Sequence, residues 1–152
     1  MIRKMVAGDA VAVSNVCMAA FMKSVAPELS QEGVVTFKSI AEPEAFNRRE
    51  AQGHVILVAE RNQSVVGVIE LKAGQHIAMF FVEPCAQRLG IGRALLDAVL
   101  GFANKDEVTV KASLSSVTAY ERFGFKRVGT VAVESGLRYQ ALSLNPREVK
   151  AG

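Results

Sequence analysis

The segment Val82-Glu83-Pro84-Cys85-Ala86-Gln87-Arg88-Leu89-Gly90-Ile91-Gly92-Arg93-Ala94-Leu95-Leu96 carries the strongest chemical signal in the chain. A strand ends, a short loop follows, and a helix opens at two glycines. Helix N-termini offer unpaired N–H groups and the positive end of the dipole. Glycine lets the backbone approach a bulky phosphate closely. Such a place is a ready anion site, and Arg88 and Arg93 add charge-assisted contacts. The spacing Q-x-x-G-x-G is neither the dinucleotide G-x-G-x-x-G nor the phosphate-loop G-x-x-x-x-G-K-[ST]. Residues 108–112 hold no acidic side chain, so the acidic residue a ribose contact would require is missing. Taken alone, the segment also fits a plain strand-to-helix loop with glycines for tight packing.

A second feature lies about 30 residues on: Tyr120-Glu121-Arg122-Phe123-Gly124-Phe125, a helix that ends in glycine and re-enters a strand. Alone it reads as a helix C-cap, with Gly124 left-handed and two aromatics in the core. Together the two features resemble the GNAT superfamily, the Gcn5-related N-acetyltransferases, over nearly the whole chain. HIAMFFVEP (76–84) is similar to that family's fourth strand. QRLGIG (87–92) is similar to its acyl-CoA pyrophosphate loop, Q/R-x-x-G-x-G/A. AYERFGF (119–125) is similar to its aromatic-Gly-aromatic segment.

The resemblance implies acetyl-CoA as cofactor, with CoA as product, and transfer of the acetyl group to a primary amine by direct attack in a ternary complex. The backbone around Phe80, Phe81 and Val82 would pair with the pantetheine arm as an added strand. A bulge in the fourth strand would splay it from the fifth and open the slot. The loop Gln87, Arg88, Leu89, Gly90, Ile91, Gly92 and Arg93 would hold the pyrophosphate, chiefly through its amides. Ser113 stands where many members carry an Asn that contacts the cofactor, and its side chain is shorter. Phe123 would line the cofactor side. Tyr120 matches the tyrosine that protonates the departing thiolate, a role suited to a phenol. Strand-four amides would supply donors to the tetrahedral oxyanion. No protein nucleophile is required. Cys17 falls on a core helix face, and Cys85 sits passively beside the loop.

An amine must lose a proton to attack. The candidates to take it are Glu70 on the third strand, His76 at the start of the fourth and Glu83 at its end, with water as the family's common substitute. Each of them also fits as a plain polar residue at a strand edge. Of these, Glu70 and His76 stand as catalytic candidates. His76 alternates with Ala78, Phe80 and Val82, which aims it at the acceptor cleft. The acceptor, a small-molecule or peptide amine, would be shaped by Phe21–Phe37 and the Glu134–Tyr139 turn. Glu28, Glu32 and Glu134 there could attract a cationic amine or simply be solvated. An idle acyl-CoA-binding or sensing module is the alternative function.

Behind these residues stands an alternating set of elements. After a first strand, Asp9 reads as the N-cap of a helix with Val13, Val16, Cys17, Ala20 and Phe21 on one face. Ser30 caps a second helix, and Pro43-Glu44 opens a third that fades near Gly53. Residues 54–59, 64–71 and 76–82 are short apolar runs joined by tight turns, an antiparallel meander. Their near-continuous apolarity predicts helices on both faces. Ile91, Ala94, Leu95, Ala98, Val99 and Phe102 mark the next helix, and 108–111 a strand parallel to 76–82. Ser115 or Ser116 caps a short helix, and residues 125–131 and 137–144 close with a hairpin. The expected fold is α/β (α+β): a mixed, mostly antiparallel sheet of six to seven strands.

The chain has 152 residues, 50% of them hydrophobic and 22% charged. A chain of this length can bury roughly 68–70% of its unfolded surface, enough to dispense with a staple. One domain over residues 1–152 is expected, without a membrane span. Met1-Ile2-Arg3-Lys4 leads into no signal-peptide core, which points to the cytoplasm. Eighteen basic and fifteen acidic residues give +3. The basic groups are scattered rather than clustered, against a nucleic-acid partner. The apolar last strand permits a homodimer.

Overall fold

The computed structural model describes residues 1–151, with side chains through Glu148; Gly152, within the expected domain, lies outside the described residues. Seven strands form one sheet in the order β1-β2-β3-β4-β5-β7-β6. They are β1 (Ile2–Lys4), β2 (Val55–Arg61), β3 (Ser64–Lys72), β4 (His76–Val82), β5 (Val108–Ala112), β6 (Lys126–Glu134) and β7 (Leu137–Leu144). Six helices accompany them: α1 (Ala10–Ser24), α2 (Gln31–Ile40), α3 (Pro43–Ala51), α4 (Ile91–Leu100), α5 (Val117–Arg122) and α6 (Pro146–Ala151). Every neighbouring pair is antiparallel except β4 and β5, which are parallel. Among the described residues no helix is long and apolar enough to cross a membrane.

The apolar runs are buried on both faces, as their composition predicts. Ile56, Val58, Val68 and Met79 pack with Val13, Cys17 and Phe21 of α1, Phe37 of α2 and Phe46 of α3. The alternate residues Leu57, Ile69, Leu71 and Ile77 pack on the other face, against Leu95 and Val99 of α4 and Val117 and Tyr120 of α5. The two-residue side-chain period of a strand is what splits one apolar run between two cores.

Several local expectations change. Asp9 does not cap α1. Its carboxylate accepts from Arg3 Nη1 and Nη2, at 2.7 and 3.0 Å, and from the Val6 N–H at 2.8 Å. The Arg3 hydrogen bonds hold that carboxyl below the usual range. α4 stops at Leu100, so Phe102 leaves the helix and lies half-exposed under the Lys4 ammonium, 5.1 Å from its ring centre. The Asn104 N–H donates to the Gly74 carbonyl and draws the chain aside to the β3–β4 turn. The terminal helix α6 is an addition. Ser30 caps α2 as expected, accepting from the Gly33 N–H.

α2 is pressed onto the β6–β7 hairpin. The Thr36 hydroxyl donates to the Ser135 carbonyl at 2.8 Å. A Cβ on Gly33 would run into the Gly136 carbonyl, and Gly136 itself has a φ of +79°. Gly33→Ala should therefore cost about 1–3 kcal/mol, read as a melting temperature several degrees lower. An unchanged melt would show that α2 can slide off the hairpin without penalty.

Candidate active site

β4 departs from its neighbour at the place the chemistry needs. On one side it pairs with β3 along its length, but Ala78 is an extra residue between the pairs Leu71–Ile77 and Glu70–Met79. On the other side only His76 and Ile77 pair with β5, opposite Thr109 and Val110. Beyond Ile77 the strands part, and β4 turns an unpaired backbone edge towards the gap. A bulge bends and twists the strand that carries it, and β5 does not follow.

The loop after β4 ends this gap with a turn through positive φ, +68° at Arg88 and +78° at Gly90. Gly90 precedes the first turn of α4 and has open space where a side chain would lie. A Cβ on Gly92 would stand 3.7 and 3.8 Å from the rings of Phe80 and Phe123. The Gln87 amide ties the loop back to the Val82 carbonyl at 3.1 Å. α4 thus aims free N–H groups along the gap, with Arg88 and Arg93 at its mouth. Arg93 reaches Asp97 at 3.3 Å and stands 6.0 Å above the Phe123 ring.

Two cavities meet across β4. One, of about 450 Å³, is lined by residues 80–82, the loop and the start of α4, and Tyr120 and Phe123. The other, of about 380 Å³, lies over β4, β5 and β7 under Phe21, Val25, Leu29 and Phe37. Val25, Phe80, Phe81, Ser116 and Tyr120 belong to both walls. Of the residues expected around the cofactor, Leu89 lines neither cavity, and Ser113 lines the second rather than the first. The Ser113 hydroxyl bonds Ser116 at 2.7 Å, while Ser115 donates to the Ser24 carbonyl across the mouth of the gap.

Tyr120 stands at the junction. Its ring meets Phe80 and Phe125 edge-on, at 5.9 and 5.3 Å between centres. Burial pushes its phenol above the usual value, so it stays protonated through the neutral range. Burial pushes the Cys17 thiol up likewise, which leaves it inert.

The proposed bases are placed very differently. Glu70 has no exposed surface and lines neither cavity. Arg49 grips it through Nε and Nη2, at 2.7 and 3.1 Å, and Arg49 Nη1 donates to the Ile40 carbonyl at 2.8 Å. The third partner is His54, whose Nδ1 lies 2.6 Å from Glu70 Oε2. An ionised carboxylate only accepts, so opposite one Nδ1 carries a hydrogen, and in the neutral form of the ring Nε2 then holds the lone pair. Both Arg49 and His54 line the second cavity. Neither stands out in the sequence: His54 opens an apolar run, and Arg49 sits in a polar helix. The clue was Glu70 itself, one charge inside an otherwise apolar strand, which must find a partner when buried. His76 also lines the second cavity, and its Nδ1 is 2.8 Å from the Thr109 hydroxyl. Burial first, then Lys111 and Lys72, push its pKa down. Glu83 starts the 3-10 turn at Pro84 and lines neither cavity.

A sheet splayed at one parallel pair, with a helix N-terminus and glycine loop closing the gap, is an architecture open to an extended ligand with an anionic end. The family model of the acetyltransferase (GNAT) domain matches residues 25–145. The chain belongs to the GNAT acetyltransferase family. Over 79 residues, 52% of this chain, it is 35% identical to the uncharacterized N-acetyltransferase YafP of Escherichia coli. The chain spans 51% of that relative's length and 27% of another curated one. Its fold matches a GCN5-related N-acetyltransferase of Rhodopseudomonas palustris with a TM-score of 0.82 at 21% identity, covering 95% of this chain and 94% of that one. It also matches the PaiA N-acetyltransferase of Thermoplasma acidophilum, solved with coenzyme A, with a TM-score of 0.77 at 18% identity over 95% and 98% of the chains.

Proposed function

We propose that this chain is an N-acetyltransferase that takes acetyl-CoA into the first cavity and a primary amine into the second, and joins them at Tyr120. The observation that carries the reading is the shared wall: Phe80, Phe81 and Tyr120 face both cavities. The cradle fits a pyrophosphate, since Gly90 leaves the space before α4 open and the α4 N–H groups point into it. Acetyl-CoA supplies an activated acetyl group as a thioester. The unpaired edge of β4 receives the pantetheine amides, and an N–H near Phe80 can hold the carbonyl oxygen as charge grows on it. The Tyr120 hydroxyl gives its proton to the leaving sulfur. His54 Nε2 takes the amine's proton through water in the second cavity. Glu70 holds the His54 ring and stands beside the charge it acquires; Arg49 holds Glu70. The aromatic roof of Phe21 and Phe37, stacked at 3.8 Å between centres, keeps bulk water from the junction.

Thermal melts with acetyl-CoA, CoA, ATP and NAD test the first half of the reading. Acetyl-CoA and CoA at 100 Kd should each stabilise the fold by about 2.7 kcal/mol, and ATP and NAD much less. No response to either CoA species would sink the proposal. Amine-dependent release of free thiol tests the second half. CoA binding without release for any amine would leave an idle binding module instead.

A further inference from the structure

The charges around the second cavity say what kind of amine it accepts. Four basic side chains, Arg49, Lys72, Lys111 and Arg138, line it against one carboxylate, Glu134. Two of the four are already answered. Arg49 is held by the buried Glu70, and Lys111 Nζ bonds Glu134 Oε2 at 3.0 Å. Lys72 and Arg138 have no carboxylate within ion-pair distance among the described residues. His76 lies between Lys72, its cross-strand partner, and the strand that carries Lys111. A proton added to His76 would be a third positive charge between two ammonium groups. It therefore serves as a neutral ring. In the tautomer whose Nδ1 accepts from the Thr109 hydroxyl, its Nε2–H is a donor available to the cavity. The opposite wall is apolar, built from Phe21, Val25, Leu29, Phe37 and Leu137.

We infer that the acceptor is an amine carrying an anionic group, a carboxylate or a phosphate, at the far end of an apolar spacer, and that polyamines are excluded. Lys72 and His76 receive the anion, the aromatic roof covers the spacer, and the amine reaches Phe80 and Tyr120, the end of the cleft towards which Arg138 also lies. The spacer has several atoms. His76 is four residues from Phe80 along β4, and at about 3.3 Å per residue the two ends of the ligand stand well apart. A second ammonium in this place would meet uncompensated positive charge, whereas an anion meets donors that lack a partner. The carboxylates of Glu28 and Glu32, which the sequence offers for a cationic acceptor, do not line the cavity. The inference rests on the acetyltransferase reading.

The test is equilibrium binding to the CoA-saturated protein, with amines that share one six-carbon chain and differ at the far end: 6-aminohexanoate, 6-aminohexyl phosphate, hexylamine and 1,6-diaminohexane. The better of the two anionic probes should bind at least tenfold tighter than the diamine, with hexylamine between, and the tighter anion identifies the natural group. The Lys72→Met variant should lose about tenfold in affinity for that anion and keep its affinity for hexylamine. In the unaltered protein, binding of the anion should raise the His76 pKa, read from its ring-proton shifts. A diamine that binds as tightly as the anions overturns the inference. So does a variant that leaves the order unchanged, and so does failure of all four amines on protein that binds CoA, which leaves the acetyltransferase reading standing. If CoA itself does not bind, both fall.

Discussion

Tyr120→Phe should lower kcat by about 10²–10⁴-fold, the range typical of losing a positioned general acid, while the CoA dissociation constant changes by no more than a few-fold. The substitution keeps the ring, and so keeps the edge-on contacts with Phe80 and Phe125. It removes one oxygen from a side chain that lines both cavities. The fold should therefore hardly notice the change, and the melting temperature should stay within a degree or two. Two further measurements separate acid catalysis from a packing effect. An acetyl donor with a more acidic thiol needs less help from a proton, so the gap between the variant and the unaltered protein should narrow with it. The pH profile gives the second. A phenol acts as an acid only while protonated, and burial raises the Tyr120 pKa above its usual value. The rate should thus show no alkaline decline from this group below about pH 10, the ordinary tyrosine range. A Tyr120→Phe protein that turns over at full rate would remove the acid role.

The order of strands and helices could be read from the chain because each element advertises itself locally. The three apolar runs are separated by polar turns, the parallel crossover follows from strand-helix-strand order, and Ser30 caps α2 through a side chain next to it in sequence. Where the reading failed, a distant partner took over. Asp9 has the type and place of an N-cap, but Arg3 offers two charge-assisted hydrogen bonds, stronger than a cap. Phe102 keeps the helical period of α4, yet the chain turns away at Gly101 towards Gly74. The Q-x-x-G-x-G loop was legible because the cradle it forms is built from contiguous backbone. Glu70 and His76 drew notice as polar groups in apolar strands. Their actual neighbours, Arg49 of α3, His54 just before β2, Lys72 at the end of β3 and Lys111 of β5, converge only when the sheet is assembled. The sign of the charge in the second cavity was for this reason invisible. Glu134 looked like an attractor for cations until Lys111 was found against it.

Glu70→Gln should be the most damaging single change for stability, and should slow the reaction as well. The carboxylate has no exposed surface, and its two oxygens share three partners: two Arg49 nitrogens and His54 Nδ1. Gln keeps the shape but offers one acceptor and no charge. Arg49, itself mostly buried, is left as a cation without its counter-ion. Breaking such a pair by removing one partner costs about 3–5 kcal/mol, against a typical total stability of about 5–15 kcal/mol. The urea midpoint should fall accordingly. The double variant Arg49→Met/Glu70→Leu removes both charges together and should recover most of the loss, since apolar replacement of a buried pair is often neutral. Activity should not recover with it. Without the carboxylate the His54 ring loses the acceptor that keeps hydrogen on Nδ1, and Nε2 is no longer reserved for the amine's proton. His54→Gln completes the argument. It leaves the Arg49–Glu70 pair in place, so the fold should melt near the unaltered protein. Its kcat at pH 7 should still drop by about 10²-fold or more, with partial recovery at high pH, where the amine sheds its proton unaided. A His54→Gln protein with unchanged kinetics would hand the proton to water and leave Glu70 a structural role alone.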